Sequence, residues 1–224
     1  MDARQIKRVI KSYGTMAPTY DDAERIPERL RPLAIARLGL RPGDTVLDLG
    51  CGTGLSFELL EQGVGPEGRL IGVELTPEML RLAEDRAERN GWTNITFIEG
   101  NAEEVEIPGP VDAVLTFFTP HITVSRPAMG RTLEALRPGG RVVASGAKRA
   151  EGIRGVPVNL WYLLRYRAWR FVPVRHLFTR LLRGSQPYET LEGLVGSLER
   201  EDYLGGCTYI AYAEKKASVS PESR

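Results

Sequence analysis

The residues best suited to chemistry lie in Val46-Leu47-Asp48-Leu49-Gly50-Cys51-Gly52-Thr53-Gly54, with Glu74 twenty residues further on. An apolar run ends at Leu49, three glycines alternate, and a helical pattern opens past Gly54. Glycines at alternate positions let the backbone turn sharply and leave no Cβ where a ligand must approach. The free amides of the following helix face the same space. A nicotinamide-dinucleotide fingerprint, G-x-G-x-x-G, needs its third glycine at position 55, where Leu55 stands. Asp48 precedes the first glycine by two residues, a place poorly suited to a pyrophosphate and well suited to a cationic amino-acid end. Glu74, at the end of the next apolar run, can accept both hydroxyls of a ribose. A ligand-free turn and a solvated strand-end glutamate are the plainer alternatives, and the combination of the two features weighs against both.

These residues need a frame, and the chain's periodicity supplies one. Ile6, Val9, Ile10 and Tyr13 recur at helical spacing, and a second helix is expected over Pro27 to Leu38. Strands are expected at Thr45 to Leu49, Leu70 to Leu75, Ile95 to Ile98, Val111 to Thr116 and Arg141 to Ser145. Helices fall between them, over Leu55 to Gln62, from Pro77 to about Asn90 behind a Thr76 N-cap, and over Arg126 to Leu136 with Pro138 and Gly139 as the stop. Alternating strands and helices imply parallel pairing in a doubly wound α/β sheet covered on both faces. A crevice then opens beyond the carboxyl ends of the strands, where the glycine turn and Glu74 meet. Leu191 to Leu198 reads as a helix and Cys207 to Ala213 as a last, antiparallel strand near the edge.

VLDLGCGTG, IGVELTPEML, EGNAEE and LRPGG together resemble the class I S-adenosylmethionine-dependent methyltransferases. Within these the chain is most similar to the methyltransferase type 11 family that includes ubiquinone/menaquinone-biosynthesis C-methyltransferases. The likeness runs from about Tyr13 to Ser145. It implies a seven-stranded, mostly parallel Rossmann-like sheet and one methyltransferase domain over residues 1–217, with a helical cover over residues 1–40. It also implies S-adenosyl-L-methionine as cofactor and S-adenosyl-L-homocysteine as product. On this resemblance Asp48 organises the turn and helps hold the amino-acid part of the cofactor. Gly50, Cys51, Gly52, Thr53 and Gly54 form the backbone approach, and Glu74 binds the ribose. Leu75 and Met79 flank the adenine. Asn101 stands where the family usually has aspartate and accepts the adenine amino group through its amide oxygen, with Ala102 and Glu103 beside it. Tyr13 and Tyr20, in YGTMAPTYD, close over the methyl donor, and Thr116 completes the set.

Methyl transfer from a sulfonium is an in-line displacement that needs alignment and water exclusion, and a base only where the nucleophile carries a proton. Thr116-Phe117-Phe118-Thr119-Pro120-His121 occupies the substrate-facing position, where family members often end in a histidine pair; here Ile122 follows His121. His121 is therefore the candidate base or substrate contact, with a helix-cap or packing role as the alternative. The Asn/Asp-Pro-Pro-Tyr/Phe tetrad of nucleic-acid amino methylases is absent, which counts against nucleic acid as partner.

Residues 152–184 read as a helical insert on the substrate side, after the fifth strand. From Gly152 to Tyr188 there is no acidic residue, while Arg165, Arg167 and Arg170 interleave with Trp161, Tyr166, Trp169 and Phe171. Three readings stay open: peripheral contact with an anionic membrane, a plain substrate lid, or nucleic acid. The expected acceptor is small or lipid-like, of quinone-precursor or phospholipid-headgroup type, with a soluble metabolite as the alternative. A cofactor-binding regulator without turnover is a further alternative. Across 224 residues the net charge is +1 and 25 of the 30 basic residues are arginine, so the charge balance gives no overall pull toward polyanions. Cys51 and Cys207 lie far from each other and from His121 and His176, so no metal site is expected. A charged start and no apolar run of about 20 residues point to the cytoplasm, with the inner membrane surface as a peripheral site. Ser218 to Arg224 reads as a frayed tail.

Overall fold

Runs of valine, leucine and isoleucine with almost every position buried make the central strands. The computed structural model describes residues 1–23, 25–150, 157, 160 and 186–216. Its strands are β1 (Thr45–Leu49), β2 (Arg69–Glu74), β3 (Ile95–Glu99), β4 (Val111–Phe117), β5 (Leu136–Ala147), β6 (Glu199–Tyr203) and β7 (Thr208–Glu214). They form one sheet in the order β3-β2-β1-β4-β5-β7-β6. The first five pair in parallel, while β7 runs antiparallel to both β5 and β6.

The helices are α1 (Ala3–Met16), α2 (Tyr20–Ala23), α3 (Arg25–Ala36), α4 (Phe57–Val64), α5 (Pro77–Asn90), α6 (Pro120–Thr123), α7 (Arg126–Ala135) and α8 (Glu189–Val195). One face of the sheet packs Val46, Leu70, Leu115 and Val143 against Ala34, Phe57, Leu60 and Ala83 of α3, α4 and α5. The opposite face packs Leu47, Val73, Val114 and Tyr209 against Met129 of α7 and Leu191 of α8. Period-two alternation along each strand thus feeds two cores, and the sheet is doubly wound as expected.

Several expected bounds change. The helix after β4 ends at Ala135, and β5 begins at once with Leu136 pairing Val111. Pro138 and Gly139 therefore lie inside β5, where the register jumps from Leu136 opposite Val111 to Arg141 opposite Ala113. That bulge lets a proline and a glycine sit in a strand. The seventh strand implied by the resemblance had no expected position, because Glu199-Arg200-Glu201-Asp202-Tyr203 reads as polar; it is β6, an exposed edge strand. The helix expected over Leu191 to Leu198 stops at Val195, before Gly196 in the left-handed region. Thr76 precedes α5 but its side chain makes no capping bond. The substrate-side insert at 152–184 and the tail at 218–224 lie outside the described residues, apart from positions 157 and 160.

Candidate functional site

Strand order reverses between β1 and β4, so the connections leaving their carboxyl ends diverge and open a crevice. Its larger part, about 710 Å³, is lined by Tyr13, Tyr20, Gly50, Gly52, Glu74, Leu75, Met79, Asn101, Ala102 and the Phe117–Ile122 segment. A smaller part, about 320 Å³, is lined by Arg31, Asp48, Cys51, Thr53, Leu55 and Ser56, and shares Tyr20, Gly50, Gly52 and Phe117 with the first. The two parts are one crevice with an apolar end and a polar end.

The three turn glycines serve three different purposes. All have φ between +58° and +81°, which only glycine adopts without strain. A Cβ on Gly50 would lie 2.4 Å from Thr119 Cγ2, and one on Gly54 2.7 Å from the Phe57 ring. A Cβ on Gly52 would meet nothing within 4 Å, so it would project into open crevice. Gly52 thus leaves an open cradle, while Gly50 admits the segment after β4 and Gly54 admits the core.

Glu74 ends β2 with one carboxylate oxygen accepting from the Gly52 N–H at 3.1 Å and the other from the Thr76 N–H at 2.8 Å. These bonds fix its orientation at the crevice wall and leave lone pairs for further donors. Burial pushes its carboxyl above the usual range, and the backbone bonds from Thr76 and Gly52 oppose that shift. Asp48 is 2% exposed, and its Oδ2 has no partner among the described residues. Burial raises its carboxyl to about 7; the Arg31 guanidinium pulls it down, Glu74 pushes it up, and the Ser56 hydroxyl pulls it down. Burial, with Asp48 and Glu74 nearby, also pushes the Cys51 thiol well up.

Asn101 lines the crevice, but its side chain is engaged in a local turn. Its Oδ1 accepts from the Glu103 N–H at 3.1 Å and its Nδ2 donates to Glu104 at 3.1 Å. Glu103 itself turns away to accept from Ser125 at 2.7 Å. Thr116 is buried and shares a hydroxyl bond with Thr119. Gly54, Glu103 and Thr116 are therefore the expected site residues that neither part of the crevice is lined by. Thr53 is oriented by α2, its Oγ1 donating to Asp21 at 2.6 Å. Arg86 of α5 bonds the same Asp21 and donates to the Thr53 carbonyl at 2.9 Å. Tyr13 and Tyr20 face the crevice with ring centroids 6.2 Å apart, and Gly14 brings α1 against the Glu78 carboxylate.

Several crevice residues were not anticipated. Arg31 is 9% exposed, donates to Ser56 Oγ at 2.7 Å, and lies 4.5 Å above the Phe117 ring. Its signal was present in the sequence, since Arg31 falls three and four residues before Ala34 and Ile35 on the buried stripe of α3. Phe118, in the expected substrate-facing segment, adopts φ +56°, a strained conformation for a phenylalanine that no local sequence signal marks. His121 on α6 lines the apolar end.

A family model described as a methyltransferase domain matches residues 40–154, half of the chain and all of the glycine turn. An arsenite methyltransferase of Halobacterium salinarum is 38% identical over 118 residues, covering 51% of this chain and 29% of the relative. A demethylmenaquinone methyltransferase of Lactococcus lactis is 32% identical over 149 residues, covering 61% of this chain and 57% of the relative. The match thus spans about a third to somewhat over half of these relatives' lengths. The fold is that of a crystal structure of a SAM-dependent methyltransferase from Aquifex aeolicus, with a TM-score of 0.61 at 17% identity and 90% and 98% coverage of the two chains. Fold and crevice define a class I methyltransferase architecture. The chain belongs to the methyltransferase-domain family, whose methyl donor is S-adenosyl-L-methionine.

The residues present fit that cofactor. The unpartnered Asp48 Oδ2, the open space above Gly52 and the oriented Glu74 carboxylate supply acceptors and room along one crevice. Leu75 and Met79 supply apolar walls near Asn101.

Proposed function

We propose that this protein transfers a methyl group from S-adenosyl-L-methionine to a small or lipid-like acceptor with an apolar, planar reacting part. The observation that carries the acceptor class is the lining of the apolar end: Val9, Tyr13, Phe117, Phe118, Pro120 and Ile122. Such walls favour a quinol-like ring over a hydrophilic amine. In this reading Asp48, Gly52 and Thr53 hold the amino-acid end of the cofactor, Glu74 the ribose, and Leu75, Met79 and Asn101 the adenine.

The cofactor, when bound, supplies an electrophilic methyl on a sulfonium. The chain's own part is to align the acceptor and keep water out. Tyr13 and Tyr20 do so from the N-terminal cover, which Asp21 ties to the glycine turn through Thr53. His121 places an imidazole at the acceptor end, the side-chain type suited to take a proton from a phenolic or enolic acceptor. Arsenite, the acceptor named for the Halobacterium relative, is soft and seeks thiolates. Here Cys51 lies at the polar end with its thiol pushed up, and among the described residues no thiol lines the apolar end, which disfavours that acceptor.

Peripheral contact with an anionic membrane accompanies the lipid-like reading. Arg4, Lys7, Arg8 and Lys11 are exposed on α1, while Ile6, Val9, Ile10 and Tyr13 turn inward. Among the described residues no helix is long and apolar enough to cross a membrane.

The test is S-adenosylhomocysteine production from three acceptor sets: reduced naphthoquinones, phosphatidylethanolamine dispersions and hydrophilic amines. Turnover with the quinols is expected, and turnover confined to hydrophilic amines overturns the acceptor class. Tight cofactor binding without turnover of any acceptor overturns the catalytic reading.

A further inference from the structure

Arg31 is the charged side chain of the polar end that no motif announces. It comes from the buried stripe of α3, with its guanidinium over Phe117 and one donor given to Ser56. Asp48 lines the same small chamber, and its charge couples to that of Arg31. Ser56 sits just before α4 without capping it, because its hydroxyl is engaged with Arg31 and Asp48. Burying a guanidinium is costly, and an apolar replacement of a buried ion pair is often neutral or stabilising. A zwitterionic ligand end gives a reason for a guanidinium and a carboxylate to line one small chamber.

We propose that Arg31 is a cofactor-binding residue whose guanidinium takes the carboxylate of the amino-acid end of S-adenosylmethionine, while Asp48 takes its ammonium. The proposal rests on the cofactor reading above and adds to it a residue and a specificity. Asp48 and Glu74 bring two negative charges and Arg31 one positive charge to this part of the crevice. The ligand end brings a sulfonium, an ammonium and a carboxylate, so each kind of charge on the ligand meets a side chain of opposite sign in the crevice. Guanidinium and carboxylate also match in planar, two-pronged geometry, which an ammonium in place of Arg31 does not reproduce. The crevice would thus read the carboxylate itself and discriminate against ligands that lack it.

Decarboxylated S-adenosylmethionine isolates that one group. Calorimetry on the full chain should show wild-type protein binding S-adenosylmethionine about ten- to a hundredfold more tightly than the decarboxylated compound, the usual range for a charged hydrogen-bond partner. Arg31→Met keeps the stem over Phe117 and should bind both ligands alike. Arg31→Lys should recover part of the preference. 5′-Methylthioadenosine, which lacks the whole amino-acid end, should bind Arg31→Met as it binds wild type, which also shows that the site is folded. A wild-type protein that binds the two sulfonium ligands equally overturns the proposal and leaves the cofactor reading standing. So does an Arg31→Met variant that keeps the wild-type preference, or one that loses 5′-methylthioadenosine as well, since Arg31 would then be structural. A wild-type protein that binds none of the three ligands overturns the cofactor reading and this proposal together.

Discussion

Alanine at each turn glycine separates ligand approach from packing. Each substitution forces a side chain into the left-handed region, which costs about 1–2 kcal/mol before any clash. For Gly52→Ala nothing else is added, because the new Cβ meets no atom within 4 Å. At about 2–4 °C per kcal/mol for a chain of this size, its melting temperature should fall by about 2–8 °C. Gly54→Ala adds a contact of 2.7 Å with the fully buried Phe57 ring. Overpacking of that kind costs roughly 1–3 kcal/mol more, so this variant should melt below Gly52→Ala or fail to fold. Cofactor affinity should invert the ranking. Gly52→Ala fills the cradle and should weaken S-adenosylhomocysteine binding at least tenfold despite its mild stability loss. Gly54→Ala, where it folds at low temperature, should bind far closer to wild type. Differential scanning calorimetry and titration calorimetry on the same preparations supply both numbers. A Gly52→Ala protein that binds S-adenosylhomocysteine as tightly as wild type would falsify the assignment of Gly52 as the cradle.

The remaining predictions concern charge. The Asp48 carboxyl is raised to about 7 in the folded chain, above its usual 3.8, so folding binds a proton and apo stability should fall as pH rises from about 4 through 7. Asp48→Asn should flatten that slope and weaken S-adenosylhomocysteine binding above pH 7, as read by melting and titration series; an unchanged slope refutes it. Asp21→Ala removes acceptors for Thr53 and Arg86 at a half-exposed side chain, so stability should drop by about 1 kcal/mol or less. Its larger effect should be on the cover, with residues 1–20 cleaved faster by protease and less protected by S-adenosylhomocysteine; equal cleavage in variant and wild type removes the latch. Vesicle co-sedimentation should rise with anionic lipid and fall with salt, and replacing Arg4, Lys7, Arg8 and Lys11 by glutamine should weaken it. Wild-type protein that stays in the supernatant at low salt ends the membrane reading.

Much of the fold was legible because its signals are local. Thr45 to Leu49 is a strand with the expected bounds, and α5 runs from Pro77 to Asn90 as proline and glycine punctuation suggests. What escaped was tertiary. Glu199 to Tyr203 carries no strand signal of its own and is held by pairing with β7, where the Tyr212 hydroxyl donates to Glu199 at 2.9 Å. The start of β5 hid behind Pro138 and Gly139, which break a helix and are tolerated here by a bulge that only the pairing with β4 reveals.

The site divides along the same line. Asp48 and Glu74 were legible because a strand end followed by a tight turn brings them to one crevice wherever β1 and β2 pair, and Asp48 does sit opposite Gly72 one pair from that end. A glycine's purpose is not written in its spacing: Gly50 and Gly54 yield to Thr119 and Phe57, which arrive from the segment after β4 and from α4. Arg31 shows the same physics from the other side. Its position on the apolar stripe of α3 marks it for burial, but its use depends on Ser56 and Asp48, which the fold supplies from two other segments. A motif therefore identifies the backbone that a ligand approaches and the carboxylates beside it, while the proposed guanidinium partner comes from α3, which shares no motif with them. The polar end of this crevice is where the two meet, and discrimination between ligands differing by one carboxylate is the property that this meeting should produce.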